Sequence, residues 1–143
     1  MSDATSANHT FAEVRIQRKG ERTPSAGQNA SMWRDIGVSN ETVGSVGIYA
    51  AIVTTAPGSR SDVHHHRECE TAIYILSGQA RFRYGEGLTN SVEAEAGDFV
   101  YIPDHAVHTE DNLSETEPLV VLIARNCPGP VVVKVPEMEN AWT

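Results

Sequence analysis

The segment from Gly58 to Gly78 reads GSRSDVHHHRECETAIYILSG, and it joins a histidine-rich turn to a run of β-branched and aromatic residues. His64 and His66 are two residues apart, so both imidazoles project from the same side if the segment is extended. Glu70 keeps the same parity, and its carboxylate can supply an oxygen ligand. Two imidazoles and a carboxylate on one side of a strand predict part of a divalent-metal site.

A second segment supplies the remaining candidate ligand. It reads GDFVYIPDHAVHTEDN from Gly97 to Asn112, and five of the six histidines of the chain fall between residues 64 and 108. Such clustering in sequence is explained by binding to a shared metal. The predicted ligands are His64, His66, Glu70 and His108. Three imidazoles with one carboxylate suit Fe, Mn, Ni or Zn, so we predict one divalent transition metal per chain.

The remainder of the chain has the pattern of an all-β domain. From residue 38 onward, turn-forming residues recur about every 8 to 12 positions, and no helix-length periodic segment lies between them. The intervening runs are rich in β-branched and aromatic residues, which predicts at least seven strands. These runs are 46–54, 72–76, 79–84, 92–96, 99–102, 119–124 and 131–135.

Residues 1–45 differ from this pattern, because they are polar and contain a Gly/Ser/Pro-rich stretch. We interpret them as an N-terminal arm that precedes a barrel over 46–143. The strand-like piece at 14–17 and Trp33 could pack on the barrel or reach a second subunit. Alternatively, the arm is a loosely docked tail.

Composition excludes several kinds of partner. The 143 residues fit a single domain, and a net charge of −8 disfavours nucleic acid and anionic membranes, which are polyanions. The longest aliphatic run, 119–124, is far shorter than the ~20 residues that cross a bilayer. No apolar block follows a basic start near the N-terminus, so we expect a cytoplasmic protein. Cys69 and Cys127 are then expected to be free thiols.

Both segments resemble the sequence motifs of the cupin superfamily. For the first motif the chain offers Gly58, His64, His66, Glu70 and Gly78, and for the second Gly97, Pro103, His108 and Asn112. The resemblance implies a double-stranded β-helix, which is a jelly-roll barrel, with a metal inside its mouth and a substrate pocket above it. It also implies a homodimer, since single-domain cupins commonly pair.

The chain departs from the cupin pattern at two positions. Seven residues separate Glu70 from Gly78 where the family has six, so counting back from Gly78 puts Thr71 in the glutamate's place. Either a β-bulge after Glu70 absorbs the extra residue and the carboxylate binds the metal, or three histidines bind it with Glu70 nearby as an acid/base. His105 replaces a glycine of the second motif, which predicts a changed turn at the rim.

The ligand set leaves open metal positions, which favours catalysis over structural metal binding. We predict an enzyme acting on a small-molecule substrate that chelates through adjacent oxygens, either a dioxygenase or an isomerase/lyase. Glu70 is the first candidate base and His105 the second. Arg81 and Arg83 either bind an acidic substrate or form a solvated face. The alternative function is a non-catalytic cupin that senses a sugar or a small acid.

Overall fold

The computed structural model describes residues 8–22, 25–27 and 29–140, with only the backbone path given for 25 and 26. In these residues, eleven β-strands form two antiparallel sheets, and α-helix is limited to one turn, α1 (Asn40–Val43). The all-β prediction is therefore confirmed. None of the helices among the described residues is long and apolar enough to cross a membrane.

The strands follow one another along the chain with short connections. They are β1 (Ser25–Ala26), β2 (Met32–Val38), β3 (Tyr49–Thr55), β4 (His64–His65), β5 (Thr71–Ser77), β6 (Gln79–Tyr84), β7 (Asn90–Glu95), β8 (Phe99–Ile102), β9 (His108–Asn112), β10 (Leu119–Arg125) and β11 (Val133–Lys134). The first sheet has the order β1-β2-β3-β10-β5-β8, and the second has the order β11-β4-β9-β6-β7. Non-consecutive neighbours in both sheets are consistent with the expected jelly roll.

The core lies between the two sheets, because inward-facing residues of both belong to one buried cluster. In β3 every second residue from Tyr49 to Thr55 is buried, as a half-covered strand requires. From the second sheet, Phe82 contributes a ring that is only 1% exposed. Burial of these apolar side chains from water is the main favourable contribution to the stability of the barrel.

Part of the expected arm belongs to the barrel. β2 pairs with β3 from Met32 opposite Thr55 onward, and Met32 is 4% exposed within the core. The sheet therefore begins before residue 46, the start expected from composition. Residues 14–17 form no strand, and Val14 is 94% exposed. Trp33 lies on the outer face of β2, where it is 42% exposed.

Cys69 and Cys127 form a disulfide with a Cα–Cα distance of 6.0 Å, so the expectation of free thiols is wrong. The pairing follows from strand register. Thr71 pairs with Arg125 across antiparallel strands, and each cysteine lies two residues beyond one member of that pair. The two cysteines therefore meet despite a sequence separation of 58 residues. The free thiols were expected from a reducing compartment, and the disulfide does not agree with that expectation.

Candidate metal centre

Three histidines converge inside the barrel, on the inner side of the second sheet. His64 on β4 and His108 on β9 are cross-strand partners, and His66 follows two residues after His64. One potential ligand atom from each lies within 4.8 Å of the others. All three side chains are buried. The structure thus brings together the three histidines of the predicted ligand set.

Backbone carbonyls hold each imidazole through its Nδ1 atom. The partners are Asp62 O for His64 at 2.7 Å, Val131 O for His66 at 2.6 Å and Ala106 O for His108 at 2.9 Å. A carbonyl oxygen only accepts, so each Nδ1 carries the proton and donates it. This tautomer leaves the lone pair of every Nε2 available to a metal, the arrangement seen when a metal-binding histidine is oriented by a carbonyl.

The electrostatics of the site keep these rings neutral. Burial, assisted by the positive charge of Arg125, lowers the pKa of His66 to about 3 and that of His108 to about 4. Burial, with the two neighbouring histidines, holds the pKa of His64 well below its usual value. Metal ligation requires neutral imidazole. The three residues therefore fit a divalent transition metal in both geometry and protonation state.

Glu70 lies outside the histidine group. Its side chain is exposed, and its carboxylate accepts a hydrogen bond from the hydroxyl of Tyr101. Residues of β5 face inward at Thr71, Ile73 and Ile75, so Glu70 has the outward parity. Thr71, not Glu70, therefore occupies the position expected of a fourth ligand.

A β-bulge does absorb the extra residue of the first motif, but at the far end of β5. Val121 of β10 pairs with Ile75, whereas the preceding Val120 pairs with Ser77, so Leu76 is the inserted residue. Because the bulge lies after Ile75, it leaves the parity of Glu70 unchanged. The structure brings the three histidines together and leaves Glu70 on the outside, away from both positions that the sequence left open for it.

His105 lies on the exposed turn between β8 and β9. Its φ of 60° is in the left-handed region, which explains why glycine suits this position and why a histidine changes the turn. The imidazole is close to the Asp104 carboxylate, with Nδ1 at 3.0 Å from Oδ2. It does not line the cavity that contains the three histidines.

Several polar residues that sequence analysis did not select line that cavity, which has a volume of about 40 Å³. From the first sheet they are Arg34, Tyr49, Thr71 and Arg125, and from the second sheet Glu110. The clue was present in the alternation of β10, because Arg125 has the same inward parity as Val121 and Ile123. A charged residue at a core position of a strand is a signal for a buried polar site.

Arg125 is 6% exposed and donates a hydrogen bond from Nε to Thr71 Oγ1 at 2.9 Å. Its guanidinium carbon lies 5.6 Å from the centre of the Tyr49 ring. Burial lowers its pKa to about 10, so it stays charged at neutral pH. Within the described part of the chain it forms no salt bridge with a carboxylate. The charge of Glu110, in the same cavity, acts on Arg125, but no salt bridge joins the two side chains. A buried positive charge without a salt bridge is unfavourable, so the cavity is suited to an anion.

Glu110 is the carboxylic acid of this cavity. It shares the inward parity of His108 on β9, and its Oε1 has no hydrogen-bond partner among the described residues. Burial, reinforced by the negative charge of Asp111, raises its pKa to about 7. Glu110 is therefore a buried group that can hold a proton near neutral pH.

An apolar groove of about 780 Å³ lies beside the cavity, between β6, β7, β8 and the turn after β8. Its lining includes Tyr84, Val92, Val100 and Met138. His108 lines both the groove and the small cavity, so the groove reaches the histidine group. Its size is within the range of small-molecule sites in proteins.

Sequence comparison agrees with this architecture. Residues 51–125 match the family described as "Cupin domain". A probable oxalate decarboxylase of Arthroderma benhamiae is 38% identical over 77 residues, which are 52% of this chain and 19% of that protein. The oxalate decarboxylase of Bacillus subtilis is 34% identical over 77 residues, 52% of this chain and 20% of that protein. The chain thus aligns with about a fifth of each of these relatives.

Solved structures of similar proteins have the same fold. The oxalate decarboxylase of Lactobacillus farciminis in its formate complex superposes with a TM-score of 0.70 at 23% identity, covering 82% of this chain and 35% of that one. The Bacillus subtilis oxalate decarboxylase at pH 4.6 superposes with a TM-score of 0.62 at 25% identity, covering 71% of this chain and 28% of that one. With both motifs, the jelly roll and the family match in agreement, this chain belongs to the cupin family.

Proposed function

We propose that this chain is a metal-dependent cupin enzyme that acts on a small organic acid. The observation that carries the proposal is one buried cavity in which three neutral imidazoles face a charged Arg125. His64, His66 and His108 would hold Fe, Mn, Ni or Zn. Once bound, such a metal would act as a Lewis acid toward the oxygens of the substrate.

Charge balance favours an acid over a neutral sugar as the ligand. The histidines contribute no negative charge, and Glu70 lies outside the cavity. Glu110 lines the cavity, but it is only partly ionised near neutral pH because its pKa is raised to about 7. Arg34 and Arg125 line the same cavity, and their positive charges act on each other. A divalent metal would add further positive charge at a buried site. A carboxylate ligand would compensate it, because buried charges are stable only when paired.

The roles of the protein groups follow from their positions. The Arg125 guanidinium, oriented by Thr71, can donate paired hydrogen bonds to a carboxylate of the substrate. Glu110 lies in the cavity and is placed to give or take a proton there. It is better placed for proton transfer than Glu70 or His105, the two candidates expected from sequence, because both of those are exposed.

Similarity to known proteins favours a lyase among the reaction types that the sequence left open, which were dioxygenase and isomerase/lyase. The relatives are oxalate decarboxylases, so a lyase reaction on a carboxylate is favoured over a dioxygenase reaction. The cavity of about 40 Å³ suits an acid of only a few atoms. A larger substrate would place its apolar part in the adjoining groove.

Turnover of small acids by the metal-loaded chain tests this proposal. The protein is loaded with Mn, Fe, Ni or Zn in turn and given oxalate, malonate or a 2-oxo acid, and products are followed by NMR and by release of carbon dioxide. We expect turnover with at least one metal, its loss in His108→Ala, and a decrease of at least about 10-fold in Arg125→Met. Arg81→Met, on the outer face, is the matched control and should retain activity. Absence of both turnover and acid binding in every metal form would contradict the proposal.

The second candidate is a sensor that binds a small acid without converting it. The exposed positions of Glu70 and His105 favour this candidate, because both expected bases lie outside the cavity. Calorimetry distinguishes the two functions when combined with the turnover assay. Saturable binding that depends on Arg125, without product from any metal form, would support the sensor.

A further inference from the structure

Tyr49 begins a row of three polar side chains on the inner face of the first sheet. It has the inward parity of β3 and is 1% exposed. Tyr49 pairs with Arg125 of β10, which pairs with Thr71 of β5, and all three line the cavity that contains the histidines. The next inward-facing row of the same strands is apolar and consists of Ala51, Ile123 and Ile73. The change from an apolar to a polar row at this end of the sheet indicates a place for a polar ligand.

The hydroxyl hydrogen of Tyr49 has no acceptor in the described part of the chain. The oxygen, Oη, is buried and forms no hydrogen bond there. Arg34 lies beside this phenol, but a guanidinium only donates hydrogen bonds and cannot accept the phenol hydrogen. Burial raises the pKa of the phenol, so the hydroxyl is protonated at neutral pH. A buried donor without an acceptor costs free energy, and a ligand with an acceptor oxygen would remove that cost.

The acceptors that line the same cavity do not bind this hydroxyl. The Thr71 hydroxyl already accepts a hydrogen bond from Arg125 Nε at 2.9 Å. Glu110 lies on the opposite sheet and forms no hydrogen bond with Tyr49. The Nε2 atoms of the histidines would be occupied by a bound metal. An acceptor for Tyr49 therefore comes from a molecule that occupies the cavity.

The cavity is small enough for one ligand to contact both sheets, since its volume is about 40 Å³. A metal on the histidines would attract oxygen atoms at one end of the ligand. At the other end Tyr49 and Arg125 can donate hydrogen bonds, so an acceptor oxygen is favoured there as well. The ligand that fits is a short acid with oxygen atoms at both ends.

We infer that Tyr49 is a substrate-binding residue that selects short acids with an acceptor oxygen at the end remote from the metal over acids with a methyl group there. Because it rests on the proposed function, this selectivity requires that an acid binds in the cavity. An acceptor oxygen satisfies the hydroxyl, whereas a methyl group of similar size leaves it buried and unpaired. Oxalate and pyruvate are a matched pair of ligands, since pyruvate carries a methyl group in place of one oxygen of oxalate.

Titration calorimetry with the zinc-loaded protein measures the affinities for oxalate and pyruvate, with the metal content checked afterwards. We expect Tyr49→Phe to weaken oxalate binding by about 10-fold and to leave pyruvate binding nearly unchanged, so the ratio of the two affinities falls by about 10-fold. The ligands differ in charge, but Tyr49→Phe removes no charge, so the change in the ratio reports the hydrogen bond. The matched control is Tyr74→Phe, which removes the same hydroxyl from the outer face of the same sheet and should leave the ratio unchanged.

A spectroscopic measurement on the parent protein keeps the test decisive if Tyr49→Phe fails to fold. A phenol that begins to donate a hydrogen bond absorbs at a longer wavelength in the near ultraviolet. Oxalate should therefore produce a tyrosine difference spectrum in the parent and in Tyr74→Phe, and none in Tyr49→Phe. Oxalate binding without this spectrum, or with the same affinity ratio in the parent and in Tyr49→Phe, would overturn the role of Tyr49 and leave the proposed function intact. Absence of acid binding in every metal form would overturn both.

Discussion

The two sheets of this cupin alternate inward and outward residues in the same way, yet their outer faces are opposite in character. On the second sheet, Arg83 pairs with Asp111 at 3.0 Å and Arg81 with Glu93 at 3.5 Å. On the first sheet the corresponding outward face is apolar around Leu122, whose cross-strand partners are Ile52 and Tyr74. Strand periodicity therefore separates inside from outside, but the residue types make one outer face charged and the other apolar. Arg81 and Arg83 are 30% and 26% exposed, and neither lines the cavity.

The inner faces differ as well, and the difference is chemical. The second sheet places His64, His108 and Glu110 toward the cavity, while the first sheet places Arg125 and Tyr49 opposite them. One sheet thus supplies candidate metal ligands, and the other supplies groups suited to an anion. Each half of the site can be removed separately, which makes the comparison testable.

The largest effect is expected from His108→Ala on the second sheet. Losing one of three imidazole ligands should reduce the metal content from about one ion per chain to a small fraction of that value. Elemental analysis after dialysis measures the change. Arg125→Met, on the first sheet, is the control and should keep its metal. A His108→Ala protein with the metal content of the parent would rule out the histidine site.

The disulfide should have the next largest effect. It links the end of β10 to the loop before β5, and it closes a loop of 58 residues. A constraint of that length should contribute about 4 kcal/mol by restricting the unfolded chain, so Cys69→Ser with Cys127→Ser should lower the free energy of unfolding by that order. Urea denaturation with and without a dithiol reductant measures it. Equal stability of the oxidised and reduced parent would contradict this expectation.

The double-serine variant also tests a link between the two sheets. Val131, whose carbonyl holds His66, lies four residues after Cys127. Freeing that segment should loosen His66, so we expect weaker metal binding in competition with a chelator as well as lower stability. Unchanged metal affinity with reduced stability would show that the disulfide acts on the fold alone.

Removal of the guanidinium on the first sheet should have a smaller, more specific effect. Arg125→Met should weaken binding of a small carboxylate by about 10-fold to 100-fold, because it removes a charge-assisted pair of hydrogen bonds. Titration calorimetry with the metal-loaded protein measures the affinity. Arg81→Met removes the same charge from the outer face and should have no effect. Equal weakening in both variants would indicate a general effect of net charge.

The smallest effect is a change in how the stability of the metal-free protein depends on pH. Histidine has an unperturbed pKa of about 6.5, whereas burial places that of His66 at about 3 and of His108 at about 4. At pH values between about 6.5 and about 4, the histidines of the unfolded chain bind more protons than those of the folded chain. The free energy of unfolding of the metal-free protein therefore falls as the pH falls through this range. Glu110 acts in the opposite direction, because its pKa is raised to about 7 in the folded chain.

Glu110→Gln separates the two contributions. On unfolding in this pH range, the three histidines together gain about three protons, whereas Glu110 loses about one, so the unfolded chain holds about two more protons than the folded chain. In the variant the difference should rise to about three protons. Urea denaturation at several pH values should therefore show a steeper loss of stability in acid for the variant. A shallower loss would contradict the direction assigned to Glu110.

The same pKa values change what acid should do to the metal. The unperturbed histidine pKa of about 6.5 predicts proton competition and metal release towards pH ~5. Because burial keeps His66 and His108 neutral to about pH 4, we expect the metal to be retained at pH ~5. Elemental analysis after dialysis at graded pH distinguishes the two expectations.

Most of the fold could be predicted from sequence, because strand alternation is a local property. Predicted runs such as 79–84 and 99–102 coincide with β6 and β8. β2 escaped prediction because its single glycine and two charged residues mask a strand that is held by its pairing with β3. β9 escaped because its sequence, HTEDN, is entirely polar, although all five residues are buried. Tertiary contact overrode local composition in both strands.

The sequence by itself determined the cupin barrel and the three histidines, since both depend on spacings within short segments of chain. Only the tertiary structure decided that Glu70 faces outward, that Cys69 meets Cys127 and that Arg125 shares a cavity with the histidines. The physical reason is register. Each of these outcomes depends on which residues of β5 and β10 lie opposite one another, and a shift of one residue moves every side chain of a strand to the other face.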